Sequence, residues 1–450
     1  MVLSAAALDV LPTIFALASA PGRAGVAVVR VSGAGAARAI EALCASGPRP
    51  EPRVAALRTI VQPSGDIIDR ALVLWFPAPH SFTGEDVAEF HLHGGRAILN
   101  AVIGCLRQMP HFRVAEPGEF SRRAFENGKL DLTEAEAIAD LVDAETSAQL
   151  RQALRQMDGD LGRLYHGWAE RLTRCLAHLE ADIDFADDEL PPDLAARRLD
   201  DGRALLNDIT RHLDDHHRGE RLREGFTVAL LGPPNAGKSS LLNALARREA
   251  AIVSPIAGTT RDVIEVQLDL GGYPVTLADT AGLRSCAEDI ESEGIRRALR
   301  KAEQADLKLL ILDGVTWPER DAATMALQDR DALLIVNKRD LLAALPECRA
   351  ADALFVSATT GEGLRELTDQ LIHEIDARFA NTGAPALTRA RHRTQVEDCR
   401  EHLQRALAAV QPELCAEDLR LALRALGRIT GHVDVEDLLD VIFREFCIGK

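Results

Sequence analysis

Short apolar runs punctuated by glycine fill the first 118 residues, and helical spacing replaces them near Glu119. The runs Gly25–Val31 and Ala71–Phe76 predict strands, whereas apolar residues three and four apart predict helices at Ala34–Leu43 and Ile98–Arg107. Gly22, Gly33, Gly84, Gly94 and Gly95 fall between these segments. Residues 1–118 are therefore expected to form a mixed α/β domain. Pro21-Gly22-Arg23-Ala24-Gly25 imitates a phosphate loop but lacks a Gly-Lys-Ser ending, and reads as a turn. His91 and His93 alternate along Glu89–Gly95, which puts both on one strand face. No further ligand accompanies them, so a packed or hydrogen-bonded pair is expected rather than zinc.

From Glu119 onward the period is helical. Ser121–Phe125 is a short piece, and Thr133-x-x-Glu136 reads as a capping box opening a long helix with Ala137, Ile138, Leu141 and Val142 on one face. The spacing continues through Leu150, Leu154, Leu161, Leu164, Trp168, Leu172, Leu176 and Leu179. The acidic stretch Asp182–Glu189 interrupts it before Pro191-Pro192; without EF-hand spacing it reads as an exposed turn. Helix resumes at Ala195–Leu213 and again at Arg393–Ala409, Glu417–Leu426 and Val435–Phe446, with Asp434 and Asp437 able to cap the last. Between these helices lies a strand-rich module, 223–378. The expected fold class is α/β and α multidomain: an α/β domain over 1–118, a helical domain in two parts over 119–222 and 379–450, and an inserted module.

That module carries the candidate chemistry. The apolar run Phe226–Leu231 feeds Gly232-Pro233-Pro234-Asn235-Ala236-Gly237-Lys238-Ser239, followed by Ser240 and a helical pattern. A strand, a glycine loop ending in Gly-Lys-Ser and a helix make a phosphate-binding element. Lys238 would reach the outer phosphates and the Ser239 hydroxyl would ligate Mg²⁺. Ala332–Val336 reads as a buried strand ending in Asn337-Lys338-Arg339-Asp340, and Ala353–Val356 as a strand ending in Ser357-Ala358. Asp340, as a buried carboxylate, can accept from guanine N1–H and its exocyclic amine, donors that adenine lacks, while Ser357-Ala358 can offer a backbone N–H to the guanine carbonyl. In Gly258-Thr259-Thr260-Arg261-Asp262, Thr260 would complete the Mg²⁺ shell. The strand Val275–Ala278 leads into Asp279-Thr280-Ala281-Gly282, with Asp279 facing the ion through water and the Gly282 N–H facing the γ-phosphate. Leu283 stands where Ras-type enzymes place a water-orienting Gln, and an apolar side chain cannot do that work. Glu288, Asp289, Glu291 and Glu293 are the nearby carboxylates, and their spacing does not choose among them.

Composition adds exclusions. The chain has 450 residues, 47% hydrophobic and 27% charged, which fits about three folded domains. A formal charge of −17 speaks against a nonspecific nucleic-acid coat, leaving RNA contact to a local patch or a partner. No apolar run is long enough to span a membrane, and Met1–Leu8 shows no secretory pattern. Eight scattered cysteines without a CxxC fit a reducing cytoplasm.

Read end to end, the chain resembles the MnmE/TrmE tRNA-modification GTPases. The resemblance rests on Ala20-Pro21-Gly22-Arg23 through Arg30-Val31-Ser32-Gly33, Ser81-Phe82-Thr83-Gly84-Glu85-Asp86 and His93-Gly94-Gly95. It continues in Ala115–Ser121, Asn127–Leu132, Glu134–Ile138 and the terminal Phe446-Cys447-Ile448-Gly449-Lys450. It implies a K⁺-activated GTPase that forms homodimers through a folate-binding-type N-terminal domain. With the flavoprotein MnmG (GidA), in a heterotetramer or larger complex, it would add an aminomethyl or carboxymethylaminomethyl group to C5 of uridine 34 in certain tRNAs. 5,10-Methylenetetrahydrofolate (5-formyltetrahydrofolate as an analogue) would supply the carbon, with FAD and NADH acting in the partner. Arg30, Glu89, Lys129 and Lys450 would contact folate, and Asn235, Ser254, Ile256 and Thr259 would hold K⁺. Pro255, Ala257 and Gly258 complete that nucleotide loop with Thr280, Ala281 and Gly282 on the other side. Glu291 matches a water-orienting glutamate, and Cys447 a cysteine tied to the modification chemistry. The competing reading is a GTP-dependent ribosome-associated switch or assembly factor without modification chemistry; the N-terminal motifs and Cys447 favour the enzyme.

Overall fold

The computed structural model describes residues 11–45, 47–184, 193–248, 264–279, 305–342, 353–379, 385–433, 435–444 and 446–449. They fall into two units. One comprises Met1–Ala139, Gln156–Leu199 and Glu401–Lys450, and the other Asp140–Arg155 and Asp200–Arg400.

The first unit contains a six-stranded sheet of β1 (Thr13–Leu17), β2 (Ala27–Ser32), β3 (Ala56–Val61), β4 (Ile67–Phe76), β5 (Val87–Leu92) and β6 (Phe112–Val114). Its order is β3-β4-β5-β2-β1-β6, antiparallel except where β6 joins β1 in parallel. Strand β4 shows why one face is covered: Ala71, Val73 and Trp75 alternate inward while Arg70 and Leu72 stay exposed. The inward residues pack with Ala36, Ala39, Ile40 and Leu43 of the helix Ala36–Leu43, and with Leu99, Val102 and Leu106 of the helix Arg96–Arg107. On the other side, Ile14, Ala16, Ala115, Phe120 and Phe82 make a smaller apolar cluster.

The helix Glu119–Glu126 is fixed by charge rather than by a side-chain N-cap. Glu119 accepts from Arg113 at 2.6 and 2.7 Å, from Arg123 at 2.9 Å and from the Glu116 N–H at 2.9 Å. Burial pushes its carboxyl up, but those donors outweigh burial and hold it below the usual carboxylate range. With the folded value depressed, the stabilisation is present above the unfolded value of about 4.3 and is lost as pH falls through the folded value. Glu119→Gln is therefore expected to cost about 2–3 kcal/mol at neutral pH, the worth of hydrogen bonds to a charged group. Urea unfolding should show that gap closing in acid; equal stabilities at neutral pH would refute it.

The helical part departs from the sequence reading in two places. The capping box opening the helix Leu132–Asp143 is Asp131 with Glu134, not Thr133 with Glu136. Asp131 Oδ1 accepts from the Glu134 N–H at 2.8 Å and from the Thr133 hydroxyl at 2.7 Å, and Glu134 Oε2 accepts from the Asp131 N–H at 2.8 Å. The earlier cap wins because its carboxylate takes two donors at once. The long helical stretch is also three helices, Leu132–Asp143, Ser147–Met157 and Asp160–Asp184. Thr146 and Gln149 exchange bonds at the first break, and Gly159 adopts φ 81° at the second.

The second unit is built on β7 (Phe226–Leu231), β8 (Ile264–Leu270), β9 (Tyr273–Asp279), β10 (Leu307–Asp313), β11 (Ala332–Asn337) and β12 (Ala353–Phe355). Their order is β12-β11-β10-β7-β9-β8, parallel except for the edge strand β8. Near-continuous burial of β7, β10 and β11 follows from covering both sheet faces. Leu241, Leu242 and Leu245 of the helix Lys238–Arg248 cover one region, with Leu367, Leu371 and Ile375 of the helix Leu364–Phe379. The first strand, β7, lies between β9 and β10, so the chain runs outward in opposite directions from it. That is the switch point of an open α/β sheet, where ligands sit beyond the carboxyl ends of the strands. The arrangement is Ras-like.

Candidate functional site: a nucleotide-type loop cluster and a second polar centre

The loops after β7, β11 and β12 meet the carboxyl end of β9. The loop Gly232–Gly237 follows β7 and leads into the helix Lys238–Arg248. Asn235 takes the left-handed conformation at φ 63°, and Gly237 takes φ 88°. A Cβ on Gly237 would collide with the Asn337 amide nitrogen, so the position admits only glycine. Lys238 is buried and folds back over its own loop, donating to the carbonyls of Gly232 and Pro233, each at 2.8 Å. Ser239 donates to Asp279 Oδ2 at 2.5 Å, joining the loop to the end of β9. A hydroxyl and a fully buried carboxylate, both hard oxygen donors, fit Mg²⁺.

Asn337 ties the base side to the phosphate side. It is buried, donates from Nδ2 to the Ala236 carbonyl at 2.9 Å, and accepts at Oδ1 from the Ala358 N–H at 3.1 Å. Asp340 Oδ1 accepts from the Ser357 hydroxyl at 2.5 Å. Lys338, at φ 63°, pairs with Asp313 Oδ2 at 2.6 Å. Asp313 is the last residue of β10, so that pair closes the cluster from the neighbouring strand. Ser240 is exposed on the first turn of the following helix. One sequence expectation changes: Asp340 is exposed, not buried, because the short helical turn Arg339–Leu341 carries it off the strand end. Ser254, Pro255, Ile256, Ala257, Gly258, Thr259, Thr260, Thr280, Ala281, Gly282, Glu291 and Lys450 lie outside the described residues.

A second polar centre lies on the N-terminal sheet. Arg30 on β2 stands opposite Glu89 on β5 and donates to its Oε1 at 2.9 Å. Its guanidinium also lies 5.5 Å from the Phe82 ring and 5.7 Å from the Phe120 ring. Glu89 Oε2 is 3.3 Å from His91 Nε2. The loop after β4 is pinned to this centre by Thr83, whose hydroxyl meets Ser32 at 2.7 Å and whose carbonyl accepts from Asn127 at 2.7 Å. Lys129 passes beside Gly84 in that loop. Arg30, Glu89 and Lys129 thus gather around one loop.

The histidine pair expected on one strand face does not form. His91 bonds to Glu89, whereas His93 lies beyond the end of β5 and bonds to Asp69 at 2.7 Å through Nδ1 and 2.8 Å through its N–H. Burial alone would raise the Asp69 carboxyl, but the bonds from His93 and from the Arg70 N–H hold it below the usual range.

The segment Phe446–Gly449 comes to the same neighbourhood. Ile448 pairs antiparallel with Pro117, the Gly118 N–H points at the Cys447 carbonyl at 3.4 Å, and Gly449 abuts the carbonyl of Leu17. Leu17 and Ala16 of β1 pair with Val29 and Arg30 of β2, and Phe120 follows Gly118 by two residues. The Cys447 carbonyl thus meets the Gly118 N–H just before the helix Glu119–Glu126, and Arg30 lies beside Phe120 in its first turn.

Comparison with known proteins gives two matching family profiles. One, described as the GTP-binding protein TrmE N-terminus, matches residues 13–129, and the other, the MnmE helical domain, matches residues 132–447. The tRNA modification GTPase MnmE of Paramagnetospirillum magneticum is 57% identical over 440 residues, covering 97% of this chain and 99% of the relative. That of Rhodospirillum rubrum is 56% identical with the same coverage. A Danio rerio protein, the 5-taurinomethyluridine-[tRNA] synthase subunit GTPB3, mitochondrial, is 50% identical over 97% of this chain and 93% of its own length. The chain belongs to the MnmE/TrmE family of tRNA-modification GTPases.

Sequence reading missed Asn337 as the tie between loops, because a buried amide that serves two backbones leaves no spacing signature. It also missed β1, β3, β6, β8 and β10. Cys447 is exposed, whereas burial pushes the Cys44 thiol up to about 11 and the Cys399 thiol up to about 12. A thiol reagent at neutral pH is expected to modify Cys447 well before Cys399 or Cys44. Mass spectrometry of the labelled peptides checks this; faster labelling of Cys399 would contradict the burial argument. Among the described residues no disulfide is present, and no helix is long and apolar enough to cross a membrane.

Proposed function

We propose that this chain binds GTP at the carboxyl ends of β7, β9, β11 and β12 and hydrolyses it to drive modification of tRNA wobble uridine. It is an MnmE-type GTPase of that pathway. The observation that carries the site assignment is the convergence of Lys238, Ser239, Asp279, Asn337, Asp340 and Ser357 at the sheet's switch point. Backbone N–H groups of Asn235 to Ser240 would cradle the phosphates, Lys238 would turn from its loop carbonyls to the outer phosphates, and Asp340 would read guanine. Ser239 and Thr260 would hold Mg²⁺, which offsets phosphate charge when bound. Asn235, Ser254, Ile256 and Thr259 would hold K⁺. Glu291 takes the water-orienting role that Leu283 cannot, and Gly258, Pro255, Ala257, Thr280, Ala281 and Gly282 line the γ-phosphate side.

The second centre is read as the folate site. Arg30, Lys129 and Lys450 supply cations for folate carboxylates, and Glu89 supplies a carboxylate for the amino-pyrimidine edge. Phe82 and Phe120 beside Arg30 support the reading, since a flat heterocycle needs an apolar surface next to its polar edge. The one-carbon unit of 5,10-methylenetetrahydrofolate would be used there with the MnmG flavoprotein, which brings FAD and NADH, and with Cys447 nearby. Homodimer formation, the division into domains 1–118, 119–222, 223–378 and 379–450, and a cytoplasmic setting belong to the same proposal.

Nucleoside analysis of tRNA from a strain lacking this chain tests the reading. Loss of the modified wobble uridine, restored by the chain itself, is expected. Unchanged wobble uridines would favour the ribosome-associated switch.

A further inference from the structure

Two exposed histidines face one another in the first unit. His166 lies on the helix Asp160–Asp184, and His432 follows the helix Pro412–Thr430, which packs along it. His166 Nδ1 is 2.7 Å from the carbonyl of Gly162, one turn earlier. A carbonyl only accepts, so the neutral ring carries its proton on Nδ1 and presents a lone pair at Nε2. His432 Nδ1 is 3.1 Å from the Thr430 hydroxyl, which can donate or accept and so permits a bare Nε2 on this ring too. The two Nε2 atoms are 3.4 Å apart, and the rings lie at 79° to each other. Two imidazole nitrogens bound to one ion at about 2.0–2.1 Å and a tetrahedral angle are separated by about 3.3–3.4 Å. The spacing already fits a shared ion.

Both ligands are held in place before any ion arrives. The His166 ring is fixed by its bond to the helix backbone. His432 is set by the turn that ends its helix: Gly431 adopts φ 90°, and the N–H groups of Gly431 and His432 both bond to the Gly427 carbonyl, at 3.0 and 2.8 Å. A Cβ on Gly431 would come within 2.5 Å of the Phe125 ring, so the turn cannot accept another residue without moving. Negative charge is close by. Asp131 packs against Gly162, and Glu134 lies within electrostatic reach of His166.

We propose that His166 and His432 form a two-imidazole site for a divalent transition ion of the Ni²⁺, Co²⁺ and Zn²⁺ class, clasping the two helices together. Water completes the coordination, because among the described residues no third His, Cys, Asp or Glu joins a metal-holding group. Nitrogen ligands exclude Mg²⁺, so the site does not compete with the Ser239 centre for that ion. With two ligands the ion exchanges readily, which suits a reversible clasp rather than a catalytic centre.

Calorimetric titration of the full chain with NiCl₂, in excess Mg²⁺ and without nucleotide, tests the site. One ion per chain is expected, with affinity reduced at least tenfold in H166Q and in H432Q and no further in the double variant. Unchanged Ni²⁺ affinity in both single variants would overturn the proposal. Absence of binding to the original chain would overturn it equally.

Discussion

Asp340→Asn is expected to lower GTP affinity by about 10²-fold or more while creating affinity for XTP. The carboxylate accepts two donors from guanine, N1–H and the exocyclic amine. An amide in its place accepts one and presents its own N–H₂ to the other, a mismatch that leaves two donors opposed. Xanthine replaces the amine with a carbonyl and restores the pairing. The neighbouring contact survives the change, since Asn Oδ1 can still accept from the Ser357 hydroxyl that now meets Asp340 at 2.5 Å. The loop should therefore hold its shape. Competition binding with GTP, XTP and ATP reads the outcome, and unchanged preference for GTP would remove Asp340 from base recognition.

The second large effect concerns the other centre. Cys447→Ser is expected to abolish wobble-uridine modification, by about 10²-fold or more for a lost nucleophile or proton carrier, while GTP turnover stays within about twofold. The side chain is exposed and the exchange is nearly isosteric, so the pairing of Ile448 with Pro117 should persist. Arg30→Ala is a companion readout: folate binding should weaken because a charge-assisted partner is lost, with nucleotide affinity unchanged. A Cys447→Ser chain that modifies tRNA normally would deny the residue any chemical role. One that loses GTP hydrolysis would deny the separation of the two centres.

What could be read from the residues depended on how local the signal was. Strand β7 and the loop after it were legible residue by residue, because a fully buried parallel strand is a continuous apolar run and the phosphate loop is a contiguous motif. The helices Arg96–Arg107 and Glu436–Arg444 were legible to within two residues at either end. Boundaries failed where two local signals competed. Asp131 and Thr133 both precede a glutamate three positions on, and only the structure shows the earlier pair closing the box. Non-local arrangements left no trace at all. Nothing in the spacing of residues 446–449 indicates that they lie beside β1, and nothing in Asn337 indicates that it holds Ala236 and Ala358 at once. The resemblance supplied the first of these, and neither source supplied the second.

The return of the last residues to the first sheet orders events during synthesis. Arg122 pairs with Asp440 across 318 residues of chain, and Cys447 follows still later. At the usual pace of translation, about 5–20 residues per second, Arg122 waits about 15–60 s for Asp440 to be made. A chain released after Arg400 but before the final helix would leave the ribosome with its nucleotide module complete and its tail absent. Such a product could turn over nucleotide with no modification to couple to it. On the proposed reading, the centre near Cys447 is therefore complete only once residues 446–449 have been made, whereas the nucleotide centre is complete earlier in the chain.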